Sequence, residues 1–531
     1  MKDYTKKQKI LIVLGVSLFI LIGSGLTYAG LMWATSNPIN IGLTSGCFEI
    51  NYTPGGAINN ANVEVMNEST LISNNKFTIT EGIALTYANI GIKSTCTIEG
   101  YGSLYLNVTS LSSAFTTGSS KGSLKYAILN NTSSSTTLTV AGLKGQSFDI
   151  VKTGTITSTG TKKILTKQLS NTSQNKYLIV FYIDGSKIGN DVIGSSFAGN
   201  ISADAHQGKV PYEGLAKLIA NDTFKSTKTV TLNSVNYKYD DTHKLMEDTA
   251  GNIRYYGASP NNYIYFNCSD YSNQSSSTCE TWRIIGVFDK KVKIMRGSQI
   301  GGYSWDTSDS STNSGNGVNE WSQADLMKLL NSGYETESVG GSLYWNAKTG
   351  TCYNGKSNDT TSCNFTSTGL KNDTTRNLIA ETTYYTRGHN SSSIFVDAMY
   401  DKERVSGTVI TGVTPTRTLT WIGKVAIPYP SDYGYAADLS LCQKQLGSYN
   451  DATCTANNWM KNILGTSSYG WLLTPTSGSA NRAWHVDSSG YVYHYYTAYN
   501  ASGVAPVLSL TSELDIGPGT GTSSSPYQLS V

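Results

Sequence analysis

Residues 483–496 read AWHVDSSGYVYHYY. Apolar and polar side chains alternate on either side of Asp487-Ser488-Ser489-Gly490, the pattern of two short strands joined by a turn. GWLLTP at 470–475 and GVAPVLSL at 503–510 flank this pair, and together the segments predict a terminal meander of antiparallel strands. The stretch 491–500 alone holds five of the chain's 35 tyrosines, together with His494. In a strand over 491–496, Tyr491, Tyr493 and Tyr495 share one face, while Val492, His494 and Tyr496 share the other. With Val492 inward, the odd-numbered tyrosines face outward, followed by Tyr499 and Asn500 on the next loop.

Two readings of this ribbon stand side by side. Tyrosine offers a large amphipathic contact area at low entropic cost, which makes the row a candidate binding face. The same residues also make an aromatic ribbon held by cross-strand pairing. On the first reading the ligand-binding residues are Asn481, His485, Tyr491, Tyr493, Tyr495, Tyr499 and Asn500, with Trp484 in the core.

Working outward, WRIIGVFDKKVKIMR at 282–296 predicts a strand, a turn and a second strand. The segment 319–333 predicts a helix with Leu326, Leu329 and Leu330 on its buried face, Ser322 as a cap and Gly333 as its stop. A second short helix is expected over 457–465. Eight of the nine tryptophans lie beyond residue 280, so an α+β domain is placed at 252–531. Between 36 and 205 the chain runs as short apolar stretches, such as SLYLNV at 103–108 and YLIVFYIDG at 177–185, separated by Gly, Asn and Ser. These predict an all-β sandwich. Residues 206–251 read as a linker with one short helix, its Leu215, Leu218 and Ile219 on one side.

Residues 1–35 combine Lys2, Lys6, Lys7 and Lys9 with an apolar run over 10–33. That run would span roughly 36 Å as a helix, enough for a hydrocarbon core of about 30 Å. No lysine or arginine follows Lys9 until Lys76, which predicts a single-pass signal-anchor in a bacterial membrane with everything downstream outside the cell. A signal peptide cleaved after Thr27-Tyr28-Ala29 is the competing reading. Cysteine spacing agrees with export. Cys268 and Cys279, Cys352 and Cys363, and Cys442 and Cys454 flank polar loops, Cys47 and Cys96 remain as a longer pair, and four disulfides are expected. Only 15% of residues are charged and the net charge is +3, too little to neutralise phosphates, so nucleic acid is not an expected partner.

The second domain resembles a family of bacterial cell-surface domains related to the C-type lectin-like and formylglycine-generating-enzyme-like fold. The resemblance is carried by NNYIYFNCSDYS (261–272), CETWRIIGVFD (279–289), YSWD (303–306), EWSQADLMKLLN (320–331), GSLYWN (341–346), PSDYGYA (430–436), WLLTP (471–475), WHVDSSGYV (484–492) and GVAPVL (503–508). Many relatives have arginine where Ala505 stands. In some members of the wider fold the equivalent of 481–503 is a variable binding face diversified by adenine mutagenesis. The first domain resembles the anchored β-sandwich modules of Gram-positive surface proteins, through SGCF (45–48), YLIVFYIDG (177–185) and FAGNIS (197–202).

These resemblances imply a surface protein that displays a C-type lectin-like domain for adhesion or recognition of an extracellular protein or glycan, without turnover. A structural role in the cell envelope or matrix is the alternative. An enzyme, whether hydrolase or oxidase, is the less favoured class: Cys442 and Cys454 read as a loop disulfide, and His389, His485 and His494 lack metal-ligand spacing. No catalytic set, metal or cofactor is expected, although Asp432 and Asp487 are noted as acids able to meet an ion.

Overall fold

The computed structural model describes residues 50–59, 63–73, 76–92, 100–135, 137–207, 213–308, 315–512 and 514–530. The chain divides into two compact units at 210/211. The apolar run over 10–33, expected as a membrane anchor, lies outside the described residues. Among the described residues no helix is long and apolar enough to cross a membrane.

The first unit is a sandwich of an eight-stranded and a three-stranded sheet. Its central strand, Asn175–Asp184, shows why the run from Tyr177 to Ile183 within it is apolar without interruption. Tyr177, Ile179, Phe181 and Ile183 point into the core between the sheets, against Leu104, Leu106 and Ile201 of the smaller sheet. Leu178, Val180 and Tyr182 fill a second core on the other side, with Phe77, Leu143 and Phe148. A strand buried on both faces leaves no position for a polar residue, and each large side chain so buried contributes about 1.5–3 kcal/mol. Strand Gly100–Leu111 keeps its other face half open, hence the alternation Leu104, Tyr105, Leu106, Asn107, Val108.

In the second unit, strands Glu280–Phe288 and Lys291–Arg296 form the expected hairpin. Its two-residue turn places Asp289 at φ 45° and Lys290 at φ 63°, the left-handed pair that matches strand twist. This hairpin lies within a nine-stranded sheet that includes Lys228–Leu232, Val235–Asp240, Leu245–Glu247 and Ile253–Tyr255. Residues 213–251, expected as a linker, are therefore part of the second unit. Their strands are short and half polar, and only pairing with Ile253–Tyr255 reveals them as sheet.

Helices are few. The longest α-helices among the described residues, Asp325–Leu330, Val396–Asp401 and Pro430–Tyr435, have six residues each. The expected helix over 319–333 is a turn of 3-10 helix at Trp321–Gln323, capped by Glu320 rather than Ser322, followed by the α-helix Asp325–Leu330, which has no side-chain cap.

Three of the four expected disulfides form: Cys268–Cys279, Cys352–Cys363 and Cys442–Cys454, with sequence separations of 11, 11 and 12. Loops of that size restrict the unfolded chain by about 3 kcal/mol apiece. The fourth, expected between Cys47 and Cys96, is not among them, because Cys47 and Cys96 both lie outside the described residues. Cys96 falls in the segment 93–99, between the described strands Ala84–Ile92 and Gly100–Leu111.

A charged cluster joins separate elements inside the second unit. Asp432, at the start of helix Pro430–Tyr435, takes Arg254 Nη1 at 3.1 Å on one oxygen. Its other oxygen accepts the Tyr429 N–H at 3.0 Å and Lys293 Nζ. Arg254 also pairs with Asp248 at 2.5 Å, and its guanidinium lies over Phe288 and Tyr435 at 4.4 and 4.5 Å. Burial opposes ionisation of Asp432, but the charges of Lys293, Arg254 and Arg404 outweigh it and hold the carboxyl down at about 2. Asp432 is thus an ion-pair hub, not a free acid.

Removing the negative charge strands the buried Lys293 and leaves Arg254 with Asp248 alone. Asp432→Asn is expected to lower unfolding stability by about 3–5 kcal/mol, read from urea denaturation at neutral pH. A change below about 1 kcal/mol would show that the cluster contributes little.

Candidate functional site

The ribbon is built as strands Tyr469–Pro475, Arg482–Asp487 and Val492–Thr497, antiparallel in that order at the end of a five-stranded sheet. The segment 503–510 is not the next strand of this meander. Ala501–Gly503 crosses to pair with Gly302–Ser304 and, at Gly503, alongside Gly470, and Val507–Ser509 belongs to the nine-stranded sheet. Asp487 makes the turn: its Oδ1 accepts from the N–H groups of Ser489 and Tyr491 at 2.9 and 3.0 Å. That oxygen is taken up by the turn's own backbone and by the Ser489 hydroxyl.

Cross-strand register pairs Val486 with Val492, His485 with Tyr493 and Ala483 with Tyr496. One residue, Trp484, therefore stands opposite two, His494 and Tyr495, which is a β-bulge. The bulge changes the face assignment expected from strict alternation. Val492 and His494 do point inward, His494 with its ring 5.4 Å from Trp484. Tyr496, expected beside them, crosses to the face of His485, Tyr469 and Trp471, at ring distances of 4.9, 4.3 and 5.4 Å. Tyr495 is left 50% exposed.

Tyr491, Tyr493 and Tyr495 form a row with successive ring centroids 5.3 and 5.8 Å apart. The Arg482 guanidinium lies 3.9 Å from the Tyr495 ring, a cation on a face where the sequence alone suggests no charge. Tyr491 and Tyr493 are half-buried, and Tyr495 is the most exposed of the row.

The remaining expected contacts divide. Tyr499 and Asn500 are half-buried on the turn after the strand, where the Tyr499 carbonyl accepts from Ser304 Oγ at 2.5 Å and the Asn500 N–H donates to the Thr497 carbonyl at 3.0 Å. Asn481 is half-buried; its carbonyl accepts from the Ala498 N–H at 2.8 Å. His485, expected as a lateral contact, is only 4% exposed and sits beneath the tyrosines. It lies in register with Trp471 on one side and Tyr493 on the other.

Several contributors escape a reading of the sequence. Asn319 Nδ2 donates to the carbonyls of Ser479 and Arg482 at 2.7 and 2.8 Å, and Arg417 Nε donates to Asn319 Oδ1 at 2.8 Å. This clamp fixes the loop that carries Asn481 and Arg482, yet its members lie far apart in the chain. Asp306 and Asp325 face one another electrostatically near Thr307, whose N–H donates to Asp325 at 2.8 Å. Burial raises both carboxyls, and repulsion from Asp306 helps carry Asp325 up to about 7. The YSWD stretch at 303–306 is the visible signal for that pair.

No family model matches the chain, and a search of curated proteins returns no match.

Two histidines give the ribbon a pH dependence. Burial drives the His485 imidazole down to about 4, against partial opposition from Asp487 and with Tyr469, Tyr493 and Tyr496 packed around it. Burial, with the charges of His389 and Arg482, brings His494 to about 4 beside Trp484, Tyr493 and Tyr495. The Nδ1 atoms of both are buried without a partner. Because the fold disfavours the charged forms, their contribution is complete above the unfolded value of about 6.5 and is lost as pH falls towards 4. For His485 the full loss is up to about 3 kcal/mol. Thermal melts from pH 7 to 4.5 should show a falling Tm, and His485→Phe should flatten that slope; an unchanged slope would mean the histidines are solvated.

Proposed function

We propose that this chain is a membrane-anchored bacterial surface protein, held through residues 10–33, whose second unit binds an extracellular ligand without turnover. The ribbon is the binding face in this reading, and the ligand is an extracellular protein or glycan. The observation that supports it is the row Tyr491, Tyr493 and Tyr495, capped by Arg482 and lying over the buried layer of Trp471 and His485. Such a row is already ordered before contact, so binding costs little side-chain entropy. Tyrosine and arginine are also the residue types that dominate binding energy at interfaces. The clamp of Asn319 and Arg417 keeps the adjoining loop in place.

The full chain in detergent would be tested against a printed glycan array and a panel of purified extracellular proteins. A ligand retained by the native chain should bind about tenfold more weakly to Tyr495→Ala, with Tm unchanged, as expected for loss of roughly 1.4 kcal/mol. Absence of any ligand, or a ligand indifferent to Tyr495→Ala and Arg482→Ala, would overturn the reading.

A structural role in the cell envelope draws on a different surface. Strands Thr382–Tyr385 and Thr420–Gly423 form a separate ribbon on which Ile422 is 62% exposed and Leu419 and Tyr385 are also exposed. That reading expects concentration-dependent self-association in sedimentation, abolished by Ile422→Lys. A monomer at all concentrations would remove it.

A further inference from the structure

Arg482 differs from the other arginines in how its charge is used. The sequence holds eight arginines, and seven of them donate from the guanidinium to protein oxygens. Four of those seven meet a carboxylate. The Arg482 guanidinium makes no hydrogen bond and no ion pair among the described residues, and rests instead on the Tyr495 ring, 3.9 Å from its centroid. Its root is fixed all the same. The Arg482 carbonyl accepts from Asn319 Nδ2 at 2.8 Å, and the residue pairs in register with Thr497. The position is built, and the N–H donors are unspent.

The surrounding groups supply no acid. His494, with its ring 5.0 Å from that of Tyr495, feels the charges of His389 and Arg482, which disfavour its protonated form, and no carboxylate offsets them. His389 in turn is held down by burial and by the charge of Lys402. Strand Val492–Thr497 has no acidic residue, and strand Arg482–Asp487 has only Asp487, at the far end. There Oδ1 serves the turn, and the charge bears on His485. With both imidazoles neutral at pH 7, Arg482 and Lys402 leave this end of the row under a positive potential.

A planar guanidinium with free donors matches a carboxylate through two parallel N–H···O bonds, and stacking on Tyr495 sets its plane before contact. Tyrosine together with arginine is the composition of surfaces that recognise other proteins. Tyr495 is the exposed large ring of the ribbon, so the contact area is amphipathic and charge does the selecting. We propose that the ribbon binds an acidic segment of an extracellular protein, with an Asp or Glu carboxylate against the Arg482 guanidinium and the flanking side chains over Tyr493 and Tyr495. This rests on the reading of the ribbon as a binding face and narrows it to one class of ligand. A neutral or basic segment would cover the guanidinium without giving it an acceptor, which costs its desolvation.

The test places the full chain in detergent, at neutral pH, on a printed peptide array. Every acidic sequence is paired there with a counterpart carrying Asn and Gln for Asp and Glu. The peptides retained should be acidic, and each counterpart should bind about tenfold more weakly, as expected for one charge-assisted pair. Arg482→Gln should weaken the acidic member by the same factor and leave the counterpart unchanged, with Tm preserved because the guanidinium has no protein acceptor. Arg482→Lys should restore only part of the affinity, and added NaCl should weaken the acidic member alone. Equal binding of both members, lost in Tyr495→Ala, would overturn the selection by charge while leaving the ribbon a binding face. Retention on a glycan array with no peptide bound would overturn the protein partner. No retention on either array would overturn both the inference and the reading on which it rests.

Discussion

Asp432 holds its negative charge in the middle of the second unit, where water cannot screen it, and three separate parts of the chain meet there, two of them to balance it. Arg254 comes from a short strand, Lys293 from the central hairpin, and Asp432 itself from the first turn of helix Pro430–Tyr435. Each group is costly to bury alone and tolerable together. The arrangement therefore acts as a registry device: the helix cannot shift along the sheet without separating charges. The rings of Phe288, from the hairpin, and Tyr435, from the helix, both lie against Arg254, so the same cation links these two elements.

That cluster also marks the boundary of what the amino-acid sequence discloses. The hairpin over 280–296 is legible because its signal is local: two apolar runs around a polar turn. The central strand of the first unit is legible for the same reason, its unbroken apolar run meaning burial on both faces. Strands 228–232 and 235–240 are not legible, since their half-polar composition acquires meaning only beside neighbours in the sheet. The partnership of Arg254 with Asp432 spans 178 residues and leaves no periodic trace.

The ribbon shows the same division on a finer scale. Alternation correctly separates Val492 and His494 from Tyr491 and Tyr493. It fails at Tyr496, because a bulge inserts one residue and reverses the parity from that point onward. The bulge also accounts for the exposure of Tyr495, which has no cross-strand partner of its own. His485 illustrates a different failure: histidine is polar in any sequence scale, yet a neutral imidazole surrounded by Tyr469, Tyr493 and Tyr496 behaves as one more aromatic ring. The candidate binding row is thus an outgrowth of the core, and its shape is set by residues that never reach the surface.

The two units handle buried cations differently, and the difference lies in the chemistry of the side chains. In the second unit the central cation is Arg254, whose guanidinium stays protonated in any protein environment and so serves only as a fixed charge. In the first unit the cation is Lys125. Burial opposes its charge, and hydrogen bonds to Asp184 and Glu68 outweigh that and raise its pKa, so the ammonium persists only through those two carboxylates. A proton moved along either short contact turns it into an amine. The same physical need, balancing charge away from water, is met in the second unit by Arg254 and Lys293 together on Asp432, and in the first unit by one lysine between two acids.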